Sequence, residues 1–148
     1  MYSIKEFDEL KTKVLKYVLY KKRTEAEIRQ KFTSSSSEML DDAIEYLKEA
    51  GYIGDEDYIE RSIKEYMALK NMSIKELVYK LKSKGIQKTL IENYISEHKE
   101  ELAEYEINSA KNIMLKKHGK MEKEEIEDYL YKKGYIAETI KIGFEDIL

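Results

Sequence analysis

Apolar residues return at steps of three and four along almost the whole chain. Phe7, Leu10, Val14, Tyr17 and Val18 form one such stripe, the spacing of a single helix face, and predict a helix over 4–22. Thr24 followed by Glu27 reads as a capping box opening a short helix that ends near Phe32. The run Thr33–Ser37 predicts a loop and a cap, and a third helix runs from Glu38 to a stop at Gly51. The pattern then starts again. Asp55, Glu56 and Asp57 suit a helix N-terminus and open a helix to about Asn71. Ser73 with Glu76 repeats the capping box for a short helix ending at Gly85, and 87–98 completes this set. A third set begins within 100–106, has Met114 and Leu115 near the end of its first helix, and continues with helices over 122–133 and 137–148.

These sets share one interval. Glu27-Ile28, Glu76-Leu77 and Glu125-Ile126 lie 49 residues apart, as do Phe32, Leu81 and Leu130. Gly85 and Gly134 keep the interval, with Ser36 in their place in the first set, and Tyr17 and Tyr66 keep it with Leu115 in the third. A fixed period of roughly 20–50 residues is the signature of a repeat architecture, in which about three units bury a continuous core. The expectation is an all-α chain of three tandem three-helix repeats in one continuous repeat domain, divided as 1–53, 54–99 and 100–148.

Composition sharpens this picture. The 148 residues include no proline and six glycines, 39% are charged and 42% hydrophobic, which predicts a chain that is nearly all helix. No apolar run exceeds four residues, so neither a membrane span nor a signal-peptide hydrophobic region is expected, and a cytoplasmic location is. The absence of cysteine removes disulfides and thiol chemistry. Catalysis finds no motif: there is no phosphate-binding glycine loop, no nucleophile elbow and no His-Glu-x-x-His. His98 and His118 have no partner at ligand spacing, so no metal and no cofactor is expected.

Four strings then carry a resemblance. They are Lys22-Arg23-Thr24-Glu25-Ala26-Glu27-Ile28-Arg29-Gln30-Lys31-Phe32, the Gly-Tyr joint within Leu47–Ile59, Leu81-Lys82-Ser83-Lys84-Gly85-Ile86, and Tyr131-Lys132-Lys133-Gly134-Tyr135-Ile136. In this order, on a triple repeat of this length, the chain resembles the RecX family of regulatory proteins. The resemblance implies an elongated, curved array that lodges in the groove of a RecA filament on single-stranded DNA and mainly inhibits recombinase, ATPase and co-protease activity. It places the chain in homologous recombination, DNA repair and the SOS response, as a monomeric regulator rather than an enzyme.

Charge selects candidate contacts. The formal charge is −3, so direct grip on single-stranded DNA is expected to be weak without the recombinase. Yet 70–88 holds six lysines against one acid, Glu76, and further basic clusters surround 16–31 and 111–123. All three clusters fall at or near the second helix of a unit, where a repeat would align them along one edge. Arg23, Arg29, Lys31, Lys75, Lys80, Lys82, Lys84 and Lys88 are the candidate partner-binding residues. Of the thirteen tyrosines, Tyr17, Tyr46, Tyr58, Tyr66, Tyr94 and Tyr129 lie on or beside apolar stripes and are expected to pack, with Tyr52 and Tyr135 closing helix caps. Tyr20, Tyr79 and Tyr131 lie among cations, where they would suit base stacking. Two other readings stay open: a helical nucleic-acid-binding module acting without recombinase, and a protein–protein adaptor.

Overall fold

Local rules place the helix starts. A computed structural model describes residues 1–147, and among them nine α-helices and no strand form. They are α1 (Ile4–Tyr20), α2 (Glu25–Lys31), α3 (Ser37–Glu49), α4 (Asp55–Leu69), α5 (Ile74–Ser83), α6 (Lys88–Glu97), α7 (Lys99–Lys117), α8 (Lys123–Lys133) and α9 (Ala137–Ile147). Thr24 caps α2 and Ser73 caps α5, each accepting from the backbone N–H three residues on while Glu27 or Glu76 returns to the cap's own N–H. Ser36, within the serine run, caps α3. The all-helical expectation is therefore met. The predicted helix end at Leu148 lies outside the described residues.

The stops differ slightly from the sequence reading, each for a physical reason. Lys21 leaves the helix in an extended conformation (φ −157°, ψ 137°), ending α1 at Tyr20 and leading into the Thr24 cap. Lys70 turns left-handed (φ 49°), so α4 stops at Leu69. His98 alone separates α6 from α7, a break with no glycine or proline to announce it, and α7 accordingly begins at Lys99. At Gly51 and Gly134 the next residue's N–H reaches back to Leu47 and Leu130, at 2.9 and 3.1 Å, which closes the helix on its own carbonyls.

Three apolar cores result. Val14, Ile28, Ile44 and Leu47 centre the first; Ile59, Ile63, Leu81 and Ile91 the second; Met114, Ile126, Leu130 and Phe144 the third. Burial of one such side chain contributes about 1.5–3 kcal/mol. Ile28, Leu77 and Ile126, at the 49-residue interval, are all buried. Within each set the first helix packs on the third: α1 on α3, α4 on α6, α7 on α9. The accessible surface is 9807 Å² for 17.6 kDa, against roughly 7,900 Å² for a compact monomer of that mass, as an extended array requires.

Two joints hold the three helix sets in line, and they repeat one device. Buried Thr24 donates its hydroxyl to the Lys84 carbonyl at 2.7 Å, and buried Ser73 donates to the Lys133 carbonyl at 2.7 Å, 49 residues on at both ends. Lys84 pairs with Glu27 at 3.8 Å, and Lys133 with Glu76 at 3.4 Å, at the same offset. Gly85 and Gly134 complete the device. A Cβ at Gly85 would stand 2.3 Å from the Ala26 Cβ, and one at Gly134 would stand 2.9 Å from the Lys75 Cβ. Both also have positive φ, so glycine is required twice over.

Candidate functional site

The joints bring the cationic side chains into a repeated relation with tyrosine rings. Tyr17 on α1 is half-buried, with the Arg23 guanidinium 4.2 Å and the Lys31 ammonium 5.9 Å from its ring centre. Forty-nine residues on, Lys80 lies 5.5 Å from the ring of Tyr66 on α4, and burial raises the pKa of that phenol. Each ring draws a cation from the short second helix onto the last turns of the first. The third set inverts the arrangement. Leu115 replaces the first-helix ring and is exposed, while Tyr129 on α8 takes the lysine's place and is flanked by Lys117 at 4.4 Å and Lys133 at 5.8 Å.

The eight candidate cations fall into two groups. Lys31, Lys75, Lys80 and Lys82 are exposed and make no ion pair among the described residues, and Arg23 stacks on Tyr17 with its Nε buried and without an acceptor. The other three are engaged within the chain. Arg29 binds Asp41 at 2.5 Å and Glu25 at 3.1 Å, Lys84 belongs to the first joint, and Lys88 pairs along its own helix with Glu92 at 3.5 Å. The sequence reading did not single out Lys117 and Lys133 as site residues. The 49-residue interval from Lys80 to Tyr129 was the signal, hidden because ring and cation had exchanged helices.

Several tyrosines depart from expectation. Tyr58 and Tyr135 are buried and Tyr66 and Tyr94 half-buried, but Tyr46 is 51% exposed, its ring lying beneath the Lys11 ammonium at 4.4 Å. Tyr129 is also partly exposed, because its lysine neighbours, not apolar residues, cover it. Tyr52 closes the Gly51 cap through its backbone while its ring stays in solvent. Tyr20, Tyr79 and Tyr131 are exposed, as base stacking would need.

This surface presents ammonium groups at recurring positions. No group of three or more metal-binding side chains occurs among the described residues, and no helix there is long and apolar enough to cross a membrane.

The chain was compared with known proteins. No protein-family model matches it. Regulatory protein RecX of Staphylococcus carnosus (strain TM300) is 33% identical over 139 residues, covering 90% of this chain and 52% of the relative. The protein of that name from Staphylococcus epidermidis (strain ATCC 12228 / FDA PCI 1200) is 31% identical over 156 residues, covering 99% of this chain and 58% of the relative. The chain thus spans a little over half the length of these relatives. Among solved structures, the crystal structure of RecX from Lactobacillus salivarius superposes with a TM-score of 0.81 at 18% identity, covering 97% of both chains. A second crystal structure, of regulatory protein RecX, gives 0.79 at 18% identity over 94% of this chain and 73% of the other.

Proposed function

From the premise that this chain is a homologue of the RecX regulatory proteins, we propose that it binds the RecA filament on single-stranded DNA and limits recombinase, ATPase and co-protease activity. In this reading it is a non-catalytic monomer, one continuous array of units 1–53, 54–99 and 100–148. The observation that carries the reading is the recurrence of a cation over a tyrosine ring, Lys31 on Tyr17 and Lys80 on Tyr66, at equivalent places in consecutive helix sets. A repeated anionic polymer offers its charge at intervals, and a surface that repeats is the kind that engages it at several points at once. Arg23, Lys31, Lys75, Lys80 and Lys82 form the contact edge. Arg29, Lys84 and Lys88 are assigned to its border, since their charges are met within the chain.

The test is RecA ATP hydrolysis on single-stranded DNA, with this protein titrated from far below to equal recombinase concentration. Inhibition well below equal concentration is expected. Joint reversal of Lys31, Lys80 and Lys82 to glutamate should weaken it at least about tenfold, the loss of roughly 1.4 kcal/mol of binding. Lys84 is left intact because it belongs to a joint. An unchanged inhibition curve for a folded triple variant rejects the edge. Tight, salt-sensitive DNA binding with no effect on the recombinase would assign a nucleic-acid module instead.

A further inference from the structure

The two joints share a hydroxyl, an ion pair and a glycine, but what surrounds those elements is unlike. Around the second joint lies a buried polar network. The Glu106 carboxylate, 2% exposed, accepts from the Ile74 N–H at 2.9 Å, the Thr139 hydroxyl at 2.8 Å and, at 3.4 Å, the Ile136 N–H. It thereby ties α7 to the start of α5 and to the start of α9. Tyr105 and Ser109 both donate to the Met72 carbonyl, at 2.7 and 3.1 Å, and Ser109 also bonds the Tyr135 hydroxyl at 2.6 Å. An apolar cluster of Met72, Leu77 and Tyr105 crosses this joint. Asn112 holds the carbonyl of left-handed Lys70 at 3.1 Å, and the chain crosses from α6 to α7 through His98 alone.

Of these contacts, the carboxylate that accepts the Ile74 N–H has a counterpart at the first joint, 49 residues earlier at Glu25, where the acceptor is less buried. Every buried member of the first core precedes residue 54, and the second core begins at Tyr58. Half-buried Asp55 accepts one backbone N–H, from Glu25 at 3.0 Å, and Lys22 bonds Asp57 at the surface. A solvent-open cleft of about 950 Å³ enters between α2, α4 and α6, lined by Glu25, Asp55, Glu56, Glu60 and Glu97 among others. Five residues, 50–54, connect α3 to α4 across it.

Bending an interface costs what must be exposed or unpaired to bend it. At the second joint that includes a buried carboxylate and an apolar cluster; at the first, beyond the hydroxyl bond both joints share, it is a half-buried carboxylate and a surface ion pair. We infer that the array is a two-part body, in which α4–α9 move as one stiff piece fixed by Glu106 and α1–α3 swing about the first joint. The spacing of the second and third cationic positions is thus set in the free protein, while the first adjusts. Glu106 is a positioning residue, acting on the edge through the helices it ties together.

The absence of cysteine makes the test clean. Spin labels are placed on exposed positions of the full chain, at Glu45→Cys with Ser96→Cys across the first joint and at Ser96→Cys with Glu138→Cys across the second. Pulsed dipolar distance distributions are then measured. The first is expected to be at least twice as broad as the second; equal widths, or a broader second distribution, overturn the inference. In the second pair, Glu106→Gln should widen the distribution at least twofold, because an amide nitrogen cannot accept the N–H groups that the carboxylate receives. Should that variant fail to fold, Thr139→Val, which removes one donor, should widen it by a smaller factor. A folded Glu106 or Thr139 variant with an unchanged distribution removes Glu106 as the lock. These readings need no recombinase, so their failure is separate from failure of the filament reading.

Discussion

Joint one and joint two are the same solution filled in two ways. Both place a hydroxyl on a carbonyl 60 residues away and a glycine against the neighbouring short helix. Only joint two adds a buried carboxylate and an apolar bridge. The difference teaches that a repeat keeps its docking geometry in a few backbone-directed contacts and sets its stiffness with the residues around them. Geometry and rigidity are thereby separable, and one chain carries two values of the second with one value of the first.

The sharpest way to break this comparison is to remove each joint's carboxylate. Glu106→Ala leaves two N–H groups and a hydroxyl without an acceptor in a dry site, and should lower unfolding free energy by about 3–5 kcal/mol. Asp55→Ala, whose lone partner lies near water, should cost about 1 kcal/mol. Denaturant unfolding followed by helix circular dichroism measures both, and equal costs would refute the asymmetry.

A smaller effect examines what the joints share. Gly85→Ala forces a β-carbon into both a left-handed backbone and the Ala26 Cβ, at an expected cost of about 2–3 kcal/mol. Adding Ala26→Gly removes the clash but not the backbone strain, so the double variant should be more stable than the sum of the single costs predicts, by roughly 1 kcal/mol. Strict additivity would mean that the helix backbones, not these side chains, set the approach.

The smallest effect is in pH. Burial raises the phenol pKa values of Tyr105 and Tyr135 in the second joint. The unfolded chain releases such protons near pH 10, whereas the folded chain holds them. The stability they provide is therefore complete below about pH 10 and declines as pH rises above it. Tyr135→Phe should make the alkaline decline shallower. Asp55 has the same sign at the acid end: desolvation raises its pKa, so the stability it contributes is greatest below the ordinary aspartate range and is lost as pH rises through its raised value.

Much of the fold was legible in the sequence because it rests on local rules. Thr24 with Glu27, and Ser73 with Glu76, cap helices where their spacing requires, and the 49-residue interval marks buried positions such as Leu77 and Ile126. The RecX resemblance read from the four strings agrees with relatives and solved structures of that name. What stayed hidden was long-range or backbone-directed. The acceptors of Thr24 and Ser73 are carbonyls, which have no side-chain signature. Glu106 belongs to no motif and drew no notice, although Leu102, Tyr105, Ser109, Ala110 and Ile113 place it by helical phase on a buried face. The pairing of Arg29 with Asp41, on a neighbouring helix, and of Lys84 with Glu27, in a neighbouring set, is one that no spacing along one helix reveals.

The hydroxyls of Thr24 and Ser73 each do two things at once, accepting from their own helix and donating to the following helix set. α2 has only seven residues and α5 ten, too few to hold helical form alone in water. Each short helix therefore becomes secure only as its neighbour arrives, and each arrival is secured by the helix it completes. Order in such a chain spreads by nearest-neighbour cooperativity, so loosening residues 123–147 should be felt first in α5, before any helix of the first set begins to fray.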